Sequence, residues 1–562
     1  MPKQKLELMW VGKEKRARLE PRILVEDPEK SYHAAKRVSN DDIFDNLLIH
    51  GDNLLALKAL EQEYAGKVKC IYIDPPYNTG NAFEHYDDGL EHSIWLSLMR
   101  ERLEILRKLL CNGGLIFIQI DNKELHYLKV LCDEVFGRAN YRNSIIAKKG
   151  IKSVQKQFDV VDRLNAGYDT ILVYSKTSEL KIPNLVIKAE TKELKGSWNN
   201  HWRGTDRPTM RYELFGIIPS KGQWRWEKNR SMRAVKNFEI FTTYMKSHNL
   251  SLAIQDEIDI GYASYCKEFH ITDKRNFELL RLSKNNKPEH YIPPSDEVLL
   301  SENWMDLPVA GRSTDFEHEK NESLIERILY WVTNPGDLVL DSFLGSGTTA
   351  AVAHKMGRRW IGIELGDHCD THCAPRLKKV IDGEDQGGIT KSANWKGGGG
   401  FRYYNLAPSL IKFDEWGNPI INKQFDENML VQALCKVEGF VFNPSPDVYW
   451  QQGKSTESDF IYITTQHLTA QMLQKLSEDV GADRTLLICC GSFDAKKDSY
   501  ENLTIKKIPK AILKKCEWNH DDYSLEINNL PMADPTLPPP STPAKKSFKK
   551  QKDPAQLDLF GE

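Results

Sequence analysis

No apolar run in this chain reaches the ~18 residues that a membrane-spanning helix requires, and no charged-then-apolar leader follows Met1. Neither sign of charge is in excess. The 77 Lys and Arg are set against 79 Asp and Glu, a formal net charge of −2, so the molecule as a whole has no attraction for a polyanion and any nucleic-acid surface must be local. Cysteine is sparse as well. Ten residues, scattered apart from the pair Cys489-Cys490, make no disulfide framework and fit a reducing compartment. The expectation is a cytoplasmic protein with no membrane association. What the chain does have is length: 562 residues, 40% hydrophobic, can bury more than one core, and a prior of ~150 residues per domain suggests three or four.

From Leu47 onward the pattern alternates. A strand to His50 precedes a helix from Asn53 to Tyr64. The strand Val68 to Ile73 precedes an amphipathic helix from about His92 to Leu110, which Asn112-Gly113-Gly114 ends. Leu115 to Ile120 is the next strand. Strands and helices of these lengths predict an α/β fold with a doubly wound, mostly parallel sheet, whose ligands bind at the carboxyl ends of the strands. Asp52, Asp74 and Asp121 all fall at such ends.

The expected division is an N-terminal arm (1–45), a catalytic half (46–177), an insert (178–301), a cofactor half (302–406), a C-terminal mixed α/β domain (407–528) and a disordered tail (529–562). The tail is proline-rich and then basic, a composition that buries no core. Between Lys148 and Arg233 basic residues outnumber acidic ones by roughly two to one, interleaved with Trp198, Trp202, Trp224 and Trp226 and with His201, Arg203, Arg225 and Arg230. Basic side chains over an aromatic core is one reading of this stretch; a DNA-reading insert is the reading its position between two site elements favours.

Two local motifs carry chemistry. Asp74-Pro75-Pro76-Tyr77 closes an apolar strand. Its prolines remove two N–H donors and fix two φ angles, leaving carbonyls and the Asp74 carboxylate to accept hydrogen bonds from a flat amine, with the Tyr77 ring as a stacking face. Far downstream, Leu338-Val339-Leu340 runs into Asp341-Ser342-Phe343-Leu344-Gly345-Ser346-Gly347-Thr348-Thr349, a strand, a glycine turn and a helix start. The next strand, Trp360 to Glu364, ends in a carboxylate about 20 residues on, the position at which nucleotide-binding α/β folds hold ribose hydroxyls.

In combination these residues resemble the DNA amino-methyltransferases that use S-adenosylmethionine, in the permuted order of the β class, where the catalytic tetrapeptide precedes the cofactor glycines. The stretches Leu48 to Leu57, Asp74 to Gly80 and Phe83 to Asp88, with Gly397 to Gly400 ahead of Phe401-Arg402-Tyr403-Tyr404, resemble more narrowly the modification subunit of Type III restriction systems. The resemblance runs from about Trp10 to about Leu406. It implies a Rossmann-like methyltransferase sheet and methyl transfer to N6 of a flipped adenine in double-stranded DNA. Asp74, Pro75, Pro76 and Tyr77 are then catalytic. Asp52, Lys320, Asp341, Phe343, Gly345, Gly347, Thr348 and Glu364 form the cofactor set, Glu364 on the ribose and Asp52 near the cofactor adenine. The stretch His318 to Glu322 departs from the family's commoner proline-containing version, and only Lys320 is carried over from it. N4-cytosine methylation is the competing enzyme reading, disfavoured by Asp rather than Ser at position 74; a non-catalytic DNA-binding recruitment protein is the other.

The resemblance also implies a homodimer and a restriction helicase-nuclease partner. Gln556-Leu557-Asp558-Leu559-Phe560 resembles the peptide by which bacterial proteins dock on the sliding clamp. His368, Cys369, His372 and Cys373 have a spacing compatible with a metal, but they lie in one short stretch and the chemistry needs no metal, so none is expected.

Overall fold

The structure is a computed structural model that describes residues 7–76, 88–149, 166–188, 195–205, 207–295, 297–309, 319–495 and 499–523; of 88–91, 274 and 275 it describes the backbone alone. Tyr77, the stretch 78–87, His318, the basic cluster 545–552 and the clamp-like peptide 556–560 lie outside the described residues. The chain forms two compact units. One is made of residues up to Ile182 and again from Glu302 onward; the other spans Pro183–Ser301.

The first unit is built on one large sheet. In chain order its strands are β1 (Leu24–Glu26), β2 (Tyr32–His33), β3 (Asn46–His50), β4 (Val68–Ile73), β5 (Leu110–Ile120), β6 (Tyr141–Lys148), β7 (Tyr168–Ser175), β8 (Asn303–Trp304), β9 (Leu338–Asp341), β10 (Arg359–Glu364) and β11 (Gly400–Leu406). They lie in the order β1-β11-β3-β10-β9-β4-β5-β7-β6-β8, with β2 added to β11. The centre, from β11 to β5, is parallel. Strand β7 runs antiparallel to both its neighbours. Central strands such as β9, buried at every residue, read as continuous apolar runs because helices cover both faces of a parallel sheet.

Helices α1 (Asn53–Tyr64), α2 (Asp88–Leu109), α3 (Leu125–Cys132), α4 (Glu322–Val332), α5 (Thr348–Lys355) and α6 (Ala374–Ile381) pack on this sheet. Asp52 caps α1, its Oδ1 accepting from the Leu55 N–H at 3.0 Å, and Asn321 caps α4 through Ser323 N–H at 2.9 Å. One expectation changes here. Helix α2 does end at Leu109, but Asn112-Gly113-Gly114 is not a loop after it: β5 already begins at Leu110 and the pairing with β4 shifts register between Val68 and Cys70, so the glycines sit in a bulge.

The N-terminal arm is tied down by β1 and β2 on β11. The run Gly397 to Gly400 packs closely against its neighbours. A Cβ on Gly398 would meet the Asp42 carboxylate at 2.9 Å and one on Gly399 the Ile43 carbonyl at 2.6 Å, both at φ values that favour glycine.

The same unit continues into a five-stranded sheet, Val441–Phe442, Gly453–Lys454, Asp459–Leu468, Thr485–Phe493 and Leu503–Lys507, the last three parallel. Arg22 ties this part to the arm, donating to the Ala407 carbonyl at 3.1 Å and the His520 carbonyl at 2.8 Å. Among the described residues no helix is long and apolar enough to cross a membrane.

The Pro183–Ser301 unit pairs a three-stranded antiparallel sheet (Leu280–Leu282, Pro288–Ile292, Ser197–Asn200) with helices Lys228–Ser247 and Gln255–Glu268. Its core is aromatic: Phe241, Tyr262, Tyr265, Phe277 and Tyr291 are buried, and Tyr265 stacks on Phe277 at 4.2 Å. The tryptophans of the basic stretch divide accordingly. Trp224 is buried and Trp198 packs against the core with Arg281 over its ring, whereas Trp202 is 41% exposed. Arg230 lies over Trp226 and pairs with Glu278.

Candidate active site

Strands β4 and β9 are neighbours with Leu340 opposite Ile71, so Asp74 and Asp341 emerge at the same edge of the sheet. From this pair the chain winds outward in opposite directions, β4 to β5 and β9 to β10, which makes the gap a topological switch point. A cavity of about 260 Å³ opens there. Eight residues expected from the sequence line it: Asp74, Pro76, Lys320, Asp341, Phe343, Gly345, Thr348 and Glu364. Residues some 270 positions apart are thus brought together by a single strand pairing.

Each wall has a local cause. The glycine turn is held by Asp341, whose Oδ1 accepts from the Phe343 N–H at 2.9 Å and whose Oδ2 accepts from Thr349 Oγ1 at 2.6 Å. Burial pushes the Asp341 carboxyl up to about 7; those two hydrogen bonds oppose the rise, and the Asp74 and Glu364 carboxylates add to it. Gly347 starts α5 at φ 83°, a left-handed conformation that a side chain would strain. It faces Cys373 rather than the cavity.

Glu364 crosses from β10 to the turn. Its Oε2 accepts from the Gly345 N–H at 2.7 Å, and its Oε1 from the N–H groups of Leu365 and Gly366 and from His368 Nε2 at 2.9 Å. Burial acts to raise its pKa, but the His368 bond and the backbone donors outweigh it and hold the carboxyl below the ordinary range. Three of these donors converge on Oε1 and one on Oε2, so Oε2 keeps an acceptor site. With Cys373 Sγ donating to the Gly345 carbonyl, His368 and Cys373 act as struts of the turn. Among the described residues no group of three His, Cys, Asp or Glu is placed to hold a metal ion.

At the other wall Lys320 Nζ lies 2.7 Å from Asp74 Oδ2. Pro75 is buried, and the Pro76 carbonyl accepts from Trp95 Nε1 at 3.1 Å, which leaves Asp74 as the acidic acceptor at the mouth of β4. Asp52 does not line the cavity. It is 1% exposed, 3.5 Å from Arg102 Nη2, and its Oδ2 accepts from the Tyr523 N–H at 2.9 Å. Its neighbour Asn53 reaches the site, donating to the Ser342 carbonyl at 2.8 Å while Arg102 Nε holds its Oδ1.

Several groups escaped the sequence reading. Tyr72, Leu344, Ser346 and Thr349 complete the lining. The Tyr72 hydroxyl donates to Gln119 Oε1 at 2.6 Å, Gln119 Nε2 to Asp169 at 3.0 Å, and Lys149 pairs with Asp169 at 2.8 Å, a polar line that runs from the cavity wall to a half-exposed lysine. Beneath the turn, Arg376 Nη1 donates to Thr348 Oγ1 at 2.9 Å and pairs with Glu319, while its Nη2 pairs with Glu322 at 2.7 Å. Lys355 pairs with Glu322 at 2.8 Å and Asp385 at 2.9 Å. This network binds the glycine turn to the segment that carries Lys320.

The profile of the DNA methylase family matches residues 68–371, more than half of the chain and the span that contains both walls of the cavity. The chain belongs to the DNA methylase family. This methylase is 35% identical over 424 residues to a protein of Haemophilus influenzae named as the probable type III restriction-modification enzyme HindVI Mod subunit, over 68% of this chain and 56% of that one. It is 30% identical over 341 residues to the type II methyltransferase M.EcaI of Enterobacter cloacae, over 57% of this chain and 67% of that one. With the EcoP15I Mod subunit of Escherichia coli it shares 24% identity over 571 residues, covering 86% of each. The methylase therefore spans a little over half the length of its Haemophilus relative.

Proposed function

We propose that this methylase transfers a methyl group from S-adenosylmethionine to N6 of an adenine in a specific double-stranded DNA sequence, as the modification subunit of a Type III restriction-modification system. The observation that carries the reading is the shared cavity: the Asp74-Pro75-Pro76 strand end and the glycine turn open into one space at the switch point of the sheet. The residues fit the cofactor. Two carboxylates, Asp341 and Glu364, and one ammonium, Lys320, suit a ligand that carries two positive centres and one carboxylate, and Phe343 and Leu344 supply an apolar wall for a purine.

When bound, the cofactor supplies an electrophilic methyl on a sulfonium. Everything else falls to this chain. The exocyclic amine of adenine is a weak nucleophile because its lone pair is delocalised into the ring. Asp74 accepts an amine N–H, holds the nitrogen in line for transfer and stabilises the positive charge that grows on it, with the Pro75 carbonyl as the second acceptor. A base inside a duplex cannot reach this edge, so it is flipped at a cost of a few kcal/mol, partly offset by stacking on Tyr77. Asp rather than Ser at 74 supports adenine over cytosine, and the printed names of the Mod-subunit relatives support the Type III setting.

The Pro183–Ser301 unit, with Trp202 exposed among basic residues, is the proposed DNA-reading part, and residues 407–528 a C-terminal domain whose five-stranded sheet belongs to the same compact unit as the large sheet. A homodimer, a helicase-nuclease partner, docking of 556–560 on the sliding clamp and a cytoplasmic location belong to the same proposal. The test is single-molecule sequencing of DNA from cells that express this chain alone or its Asp74→Ala variant. The wild type leaves methylated adenines at one sequence and the variant leaves none while still binding the cofactor; DNA without modified adenines from the wild type overturns the reading.

A further inference from the structure

The Asp74–Lys320 pair joins the acceptor for the target amine to the cavity's ammonium, and it differs from the ion pairs beneath it. Lys355 and Glu322 have side chains 0% and 3% exposed, whereas Lys320 and Asp74 are each 22% exposed and both face the cavity. A pair this open to solvent and ligand exchanges partners at little cost, in contrast to a buried one. The backbone around Lys320 is fixed. Glu319 is held by Arg376 at 2.9 Å, and Asn321 caps α4 and donates to the Pro308 carbonyl at 2.6 Å, so both neighbours of Lys320 are anchored.

An ammonium 2.7 Å from Asp74 Oδ2 takes up one of its oxygens and offsets its charge. Both are needed to hold an amine and stabilise positive charge on it. We propose that Lys320 is a two-position latch: it holds Asp74 Oδ2 until a carboxylate-bearing cofactor draws the ammonium away, so that cofactor binding releases that oxygen from Lys320 for the target base. This rests on the methyl-transfer reading and deepens it, since it makes base capture conditional on the cofactor. Lys320 acts as a positioning residue, and its effect follows the carboxylate of the ligand rather than the purine.

The test needs no DNA. Calorimetry on the full chain compares S-adenosylhomocysteine, which carries the carboxylate, with 5′-methylthioadenosine, which lacks it. Because Asp74 competes for Lys320, Asp74→Asn tightens S-adenosylhomocysteine by about three- to tenfold and leaves methylthioadenosine unchanged. Lys320→Gln weakens S-adenosylhomocysteine by about tenfold, again without effect on methylthioadenosine, and the double variant matches Lys320→Gln alone. Asp74→Asn with unchanged S-adenosylhomocysteine affinity, or with both ligands tightened equally, overturns the latch. Asp74→Ser and Lys320→Met form a second pair, and loss of methylthioadenosine binding in both pairs shows a structural role and overturns it as well. Failure of the wild type to bind either ligand overturns the methyl-transfer reading instead.

Discussion

Glu322 is the carboxylate that Lys355 and Arg376 share, and its removal tests whether the network beneath the glycine turn holds the site together. It is 4% exposed; its Oε1 accepts from Arg376 Nη2 at 2.7 Å, and its Oε2 accepts from Lys355 Nζ at 2.8 Å and the Ile389 N–H at 2.9 Å. Deleting one partner of a buried ion pair costs about 3–5 kcal/mol. Glu322→Ala belongs at the lower end, about 3 kcal/mol, because Lys355 keeps Asp385 and Arg376 keeps Glu319. Glu322→Gln retains an acceptor oxygen and the volume and costs about 1–2 kcal/mol. Asp385→Asn, at the more open end of the network, costs about 1 kcal/mol or less. Hydrogen exchange of the full chain, read by mass spectrometry on peptides from α4 and α5, measures the opening free energy where the network acts and needs no two-state unfolding of the whole molecule. The order Glu322→Ala, Glu322→Gln, Asp385→Asn is the expected result. Equal losses for Asp385→Asn and Glu322→Ala, or a loss below about 1 kcal/mol for Glu322→Ala, refute the reasoning.

Two further outcomes follow from titrating groups. His201, fully buried against Trp224, Trp226 and His290, has its pKa lowered to about 3 by burial, with His290 and the nearby arginines adding to the effect. The unfolded chain binds the proton near pH 6.5, so stability of the Pro183–Ser301 unit is greatest above that pH and falls as pH drops toward 3, by about 2 kcal/mol at pH 5; protease resistance of this unit in the full chain reads the loss, and His201→Phe removes most of it. Asp341, raised to about 7, must ionise to meet the ligand's ammonium; S-adenosylhomocysteine therefore binds about tenfold more weakly at pH 6 than at pH 8 and releases a proton below pH 7 in calorimetry, and a flat profile that matches Asp341→Asn rules this out.

What could be read from the chain was what is local. A run of apolar residues closed by Asp74-Pro75-Pro76 is a strand end with acceptors whatever surrounds it, and Asp341 to Thr349 is a strand, a glycine turn and a helix start by its own torsional preferences. The alternation of strands and helices fixed the fold class for the same reason, since periodicity reports which face is buried. Tertiary structure decided which of these pieces meet. Pairing of β4 with β9 joined the two motifs, and no spacing in the sequence indicates that neighbour. It also decided which polar groups were already taken. Glu364 is engaged by turn donors, Asp52 by Arg102 and Tyr523, and Trp224 by a core, because burial drives most polar groups to find partners, many of them distant in the chain. Arg376, Glu322 and Lys355 are ordinary surface types in the sequence, and only their common burial makes them the frame of the site.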